Sequence, residues 1–186
     1  GVKFGYDGPF TATARGLVPP ATSAGSVVTD PTGNFAPVAG PSTARFDVVV
    51  PAGTTYARFA LFDGSSPPGS DLDLYVFRGT TLVGTSTGST AAEEVNLVNP
   101  TAATYTVWVH GFAVPTPGSF TLFAWLLGTA GAGNMTVSAP ASASIGGSGT
   151  VSLSFVGLSS GTKYLGSVAY AGAAGMPDPT IVRVDP

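Results

Sequence analysis

The chain has no cysteine and only one histidine in 186 residues. Without a thiol there is no disulfide, no thiol nucleophile and no cysteine-ligated metal. A single histidine, His110, gives zinc no ligand cluster and leaves a Ser/His/Asp triad one candidate base. Charge is scarce too. Asp, Glu, Lys and Arg make up 9% of the sequence, against about 25% in an ordinary soluble domain. From Val95 to Thr162 the only side chain able to carry charge near neutral pH is His110. A net charge of −3 and a pI near 4.8 provide no basic footprint for nucleic acid or an anionic membrane surface. Long apolar runs are missing as well. The most apolar stretch, Phe120 to Leu127, falls far short of the roughly 20 residues a membrane-spanning helix needs.

Gly, Pro, Ala, Ser and Thr fill the space that charge leaves. Such a bias can signal disorder, but 44% hydrophobic residues and a mean hydropathy of +0.34 argue for a buried core. No window sustains helical i, i+3, i+4, i+7 apolar spacing, and Gly or Pro interrupts the chain about every 10 residues, a sandwich-like rhythm. The pattern predicts strands at Val2–Tyr6, Phe10–Arg15, Ala44–Val50, Tyr56–Phe62, Asp71–Phe77, Thr81–Gly84, Glu93–Val98, Thr104–Phe112 and Ser119–Leu127. Beyond a Gly/Ala-rich hinge at Gly128–Gly133 it predicts Asn134–Ala139, Gly149–Val156, Lys163–Ala171 and Thr180–Asp185. Pro51-Ala52-Gly53, Ser66-Pro67-Pro68-Gly69 and Pro115-Thr116-Pro117-Gly118 read as turns. Val18–Pro41, poor in apolar anchors, reads as a long loop or linker. The organisation expected is residues 1–39 as leading strands and loop, a β-sandwich over 40–128, and further strands over 129–186. Because two or three strands cannot fold alone, the leading pair is expected to pack with the trailing four, with the central domain inserted between them.

The most informative heptad is Asp71-Leu72-Asp73-Leu74-Tyr75-Val76-Phe77. Period-two alternation puts Leu72, Leu74 and Val76 in the core and Asp71, Asp73, Tyr75 and Phe77 on the opposite, wet face. Asp is a poor strand former, so two within three positions point to a role beyond propensity. Calcium takes several hard oxygen ligands. Asp63, Asp71 and Asp73 bracket a Gly/Pro/Ser loop, with Glu93 and Glu94 on a nearby strand, so Asp63, Asp71, Asp73 and Glu93 form a candidate calcium site. A solvated acidic edge is the plainer alternative.

Other chemistry is thinner. His110 lies at a strand end, where a hydrogen-bonded structural role is the expectation. Gly84-Thr85-Ser86-Thr87 echoes a protease nucleophile turn but lacks the helix that should follow, so no catalytic residue is assigned. Trp108, Trp125, Tyr105, Phe112, Phe120 and Phe123 are numerous enough for a glycan- or protein-binding platform. Alternation sets Tyr105, Val107 and Val109 against Thr106, Trp108 and His110, which makes Trp108 the exposed surface-binding candidate. Few Lys or Glu gatekeepers guard the strand edges, which leaves self-assembly open.

The central block resembles the bacterial pre-peptidase C-terminal domain, an accessory β-sandwich of secreted peptidases. The residues carrying the likeness are Arg45–Val50 with Pro51-Ala52-Gly53, Ala57–Phe62, Asp71–Val76, Leu82-Val83-Gly84-Thr85-Ser86, Glu93–Leu97, Tyr105–Val109 with Gly111, and Ser119–Leu122. In that family an Asp-rich strand, a Glu-containing strand and a Tyr-x-Val-x-Val strand follow in this order. Phe4-Gly5-Tyr6-Asp7-Gly8 with Gly16-Leu17-Val18-Pro19, Gly157-Leu158, Tyr164-Leu165-Gly166 and Thr180–Val184 resemble the flanking fibronectin type III-like strands of large subtilisin-like serine proteases. The resemblance implies an all-β fold: a jelly-roll-like sandwich plus a small fibronectin/Ig-like sandwich. It also implies a secreted, non-catalytic accessory region aiding export, stability or docking. The partners it implies are the parent protease's catalytic domain and a protein or glycan substrate or cell surface. The alternative is a self-assembling, filament-type extracellular protein derived from such a region.

Overall fold

Alternation along the strands sorts this chain into inward and outward residues, and almost all regular structure follows from it. The computed structural model describes residues 1–115 and 118–186. In chain order the strands are β1 (Val2–Lys3), β2 (Gly8–Pro9), β3 (Thr11–Val18), β4 (Ala21–Val27), β5 (Thr43–Val50), β6 (Tyr56–Ala60), β7 (Asp71–Arg78), β8 (Thr81–Ser86), β9 (Glu94–Val98), β10 (Ala103–Ala113), β11 (Gly118–Leu127), β12 (Met135–Ser138), β13 (Ser142–Ala143), β14 (Ser148–Gly149), β15 (Ser152–Phe155), β16 (Tyr164–Ala171) and β17 (Thr180–Val184). The fold is all-β, and the only helical element among the described residues is a 3-10 turn at Asp63–Ser65. No helix there is long and apolar enough to cross a membrane. The chain divides into two compact units, Pro20–Leu126 and the combination of Gly1–Pro19 with Leu127–Pro186.

The first unit is a sandwich of two four-stranded sheets, ordered β5-β10-β7-β8 and β4-β11-β6-β9. The pairs β4·β11, β5·β10, β6·β9 and β7·β8 nest inside one another. This is one long hairpin rolled into a jelly roll, an arrangement that wraps eight strands around a single core. Leu72, Leu74 and Val76 of β7, with Val107 and Val109 of β10, face Ala57 and Phe59 of β6 and Phe120 and Leu122 of β11. All are at most 2% exposed, so the interior is apolar and closed.

One feature differs from the sequence reading. Val18–Pro41 was expected as loop or linker, yet it contains β4, the eighth strand of the jelly roll. A central domain starting at residue 40 therefore omits an edge strand that covers β11. The reason is chemical: Ala21-Thr22-Ser23-Ala24-Gly25-Ser26-Val27 has a single large apolar residue, Val27, and only that side chain is buried. Its pairing partner supplies the missing bulk, since the Phe120 ring lies over Gly25. The expected turn at Pro115–Gly118 includes Thr116 and Pro117, which lie outside the described residues.

The second unit has a three-stranded sheet, β17-β16-β3, and the ladders β12·β15, β1·β14 and β2·β13. Leu17, Met135 and Tyr164 form one buried cluster, with Leu153 and Val182 packed on it, and Phe4, Phe10 and Ala143 form another. Asn134 mimics a strand partner: its amide accepts from Leu17 N at 3.2 Å and donates to Leu17 O at 2.9 Å.

Candidate functional site

In the jelly roll the outer face of β7 and β10, expected to be wet, is covered. Residues 28–42, between β4 and β5, cross it as a strap. Thr29 ties its start to Val114 and the Asp30 amide donates to Gly111 O at 2.7 Å, while the side chains of Phe35 and Asp30 hold it on the face. Phe35 stacks on Tyr75 with ring centroids 3.8 Å apart and planes 6° from parallel. It also meets Trp108 edge-on at 6.3 Å and His110 at 5.8 Å. Asp30 makes the polar attachment.

His110 lies on β10 directly opposite Asp73 on β7. It is fully buried, with no exposed surface. Its Nδ1 is 2.9 Å from Asp73 Oδ2 and its Nε2 is 3.2 Å from Asp30 Oδ2. Each ring nitrogen therefore has one carboxylate oxygen within hydrogen-bond distance. The ring thus stands between two carboxylates and joins strap to sheet. Asp30 is further tied. Its Oδ1 accepts from Thr32 N and Thr32 Oγ1, both at 2.8 Å, and its Oδ2 accepts from Ser42 Oγ at 3.2 Å. The Thr32 amide, followed by the Thr32 hydroxyl, holds the Asp30 carboxyl well below the usual carboxylate range. Tyr75 moves the other way: burial, then the neighbouring Asp73 charge, pushes its phenol up to about 12.

The four carboxylates expected to cradle calcium are placed differently. Asp73 is 6% exposed and spent on His110. Glu93, 2% exposed, accepts from Ser86 Oγ and from Gly88 N at 2.6 Å, closing the segment between β8 and β9. Burial raises the Glu93 carboxyl above its ordinary range, with smaller contributions from the Asp73 and Asp71 charges. Asp63 is exposed in its 3-10 turn. Glu94 pairs with Arg58 at 2.9 Å. Asp71 is half-buried, and its Oδ1 is buried without a hydrogen-bond partner. Burial and then the Asp73 charge raise its carboxyl. Among the described residues no group of three or more His, Cys, Asp or Glu is placed to hold a metal ion. Of the four expected ligands, Asp73 and Glu93 are held in hydrogen bonds, Asp63 is exposed and Asp71 keeps one oxygen without a partner.

Trp108 is corrected as well. It is 6% exposed, because Phe35 covers one side and the Arg45 guanidinium lies 6.0 Å from its ring centroid. The aromatics of this face pack on the strap and present no open platform. Sequence reasoning missed Asp30 and Phe35. Thr29-Asp30-Pro31-Thr32-Gly33 carried a signal, since an Asp that accepts from the backbone two residues on is a recognisable turn former, but nothing local showed that its second oxygen would meet a histidine 80 positions away. Compared with known proteins, the chain matches no family model and no curated protein.

Proposed function

We propose that this chain is a non-catalytic accessory region of a secreted subtilisin-like protease, serving its export, its stability or its docking onto substrate or a cell surface. The support is the likeness to the pre-peptidase C-terminal domain together with one structural observation. The only histidine of the sequence is sealed from solvent with a carboxylate at each ring nitrogen. A general base must reach the proton it removes, and His110 faces only its two partners. Its role is to fasten a loop.

The test compares the secreted protease with and without these 186 residues. Secreted yield, thermal half-life or retention on an insoluble protein should fall, while turnover of a small chromogenic peptide stays within about twofold. Loss of peptide turnover with no effect on the other three readouts would overturn the proposal.

A second reading, self-assembly into an extracellular filament, is favoured by two of the four edge strands, β4 and β8. Both terminate their sheets and neither contains a charged residue, so the usual guard against edge-to-edge pairing is missing. Light scattering on the pure chain decides: mass should rise with concentration and fall back in Ala24→Lys. A strict monomer at high concentration removes this reading.

A further inference from the structure

The unit formed by residues 1–19 and 127–186 holds a cleft of about 400 Å³, a volume typical of small-molecule sites. Its floor is aromatic. Phe4 and Phe10 meet edge to face at 5.1 Å, and Phe10 stacks on Tyr170 at 5.9 Å with the rings 19° from parallel. Met176 and Pro177 wall one side. Gly172 permits that wall, because a Cβ there would collide with Pro9 O and Tyr6 Oη.

The cleft hydroxyls of Tyr6, Tyr170 and Thr180 are already engaged. Tyr6 Oη donates to Pro9 O at 2.7 Å, and Tyr170 Oη and Thr180 Oγ1 share a hydrogen bond of 2.9 Å. Lys3 is exposed and is the only charged residue among those lining the cleft, counted over the described residues. A ligand entering here would find largely apolar surface and one cation. The single positive charge favours an anionic ligand over a cationic one.

We infer that this cleft binds an apolar monocarboxylate, its aliphatic or aromatic body on Phe10 and Tyr170 and its carboxylate on Lys3. Covering the rings supplies the hydrophobic term, and the ammonium supplies the discrimination between acid and neutral analogue.

The experiment titrates the whole chain with decanoate and, separately, with decanol, both below their aggregation limits, by calorimetry and by amide chemical-shift mapping. Decanoate should bind saturably, with shifts concentrated at Phe4, Phe10 and Tyr170 rather than in residues 20–126. Lys3→Met should weaken decanoate up to about fivefold, the scale of one exposed ion pair, and leave decanol unchanged. Met176→Asp, on a wall segment outside the strands, should abolish binding of both. The proposal is overturned by the absence of saturable binding, by shifts lying elsewhere, or by Lys3→Met weakening decanoate and decanol alike. If Met176→Asp fails to fold, the shift map and Lys3→Met decide alone. None of these readouts depends on the protease reading, so the two proposals fail separately.

Discussion

Phe35 lies flat against Tyr75, 3.8 Å between centroids and 6° from parallel, and this one contact covers what would otherwise be the open face of β7 and β10. Offset aromatic pairs add about 0.5–1.5 kcal/mol beyond their burial, and truncating a fully buried Phe costs about 3–5 kcal/mol. Phe35 is only half-buried. We therefore expect Phe35→Ala to cost about 2 kcal/mol in urea unfolding. Trp108 emission should shift to the red as its cover is lost, and limited proteolysis should cut first within residues 31–40. Unchanged Trp108 emission would mean that the polar contacts of Thr29 and Asp30 keep the strap in place without Phe35.

The polar attachment makes a separate expectation. Replacing His110 with Phe leaves Asp30 and Asp73 without the ring nitrogens that contact them both. Removing one partner of a buried charged group costs about 3–5 kcal/mol because the remaining charge is uncompensated. Adding Asp73→Asn to His110→Phe should recover more than 1 kcal/mol of that loss, on the order of the coupling seen between groups in one network. A double-mutant cycle measures it. Strict additivity of the two substitutions would reject the bridge as a coupled unit.

How much of this was legible in the sequence depends on where the information sits. The alternation of Leu72, Leu74 and Val76 placed β7 in the core without help from any other strand, because each of those side chains must leave water. The seven apolar strands of the jelly roll were readable on the same ground. β4 was not, since its bulk belongs to Phe120 on another strand and its own residues are small. The outer face of β7 was misread for a related reason. Period-two patterning says which residues share a face, but it cannot say that a loop starting 43 positions earlier will lie across it. Asp73 looked like a solvated ligand because its partner, His110, is distant in sequence and adjacent only through β10·β7 pairing.

Gly25 tests the claim that β4 is a true strand of the jelly roll. It is opposite Phe120 in the ladder, and a Cβ on it would overlap the phenyl ring. Phe120 is 2% exposed and faces the core, so its ring has little room to withdraw. Gly25→Ala should therefore destabilise by about 1–3 kcal/mol, the usual cost of overpacking, despite alanine's smaller backbone entropy loss. Chemical denaturation checks it, and Phe120→Leu in the same background should restore part of the loss. A neutral or stabilising Gly25→Ala would place β4 away from Phe120.

Asp71 offers the pH-dependent prediction. Burial and the neighbouring Asp73 raise its carboxyl above the ordinary 3.8, and Oδ1 has no hydrogen-bond partner. The folded state therefore holds this proton more tightly than the unfolded chain does. Its contribution to stability is fully present below 3.8 and is lost as pH rises through the higher folded value. Asn keeps the shape and removes the charge. At pH 7 Asp71→Asn should gain about 1 kcal/mol, the order of an unpaired buried polar group's cost. The gain should shrink towards zero as pH falls below 3.8. Asp30 has the opposite sign, since Thr32 lowers its carboxyl. Its contribution is present above 3.8 and is lost as pH falls through the depressed folded value, so Asp30→Asn should destabilise at pH 7 and progressively less in acid. Urea midpoints of both variants between pH 3 and pH 7 would separate the two carboxylates, and a gain for Asp71→Asn that did not change with pH would exclude the charge as its cause.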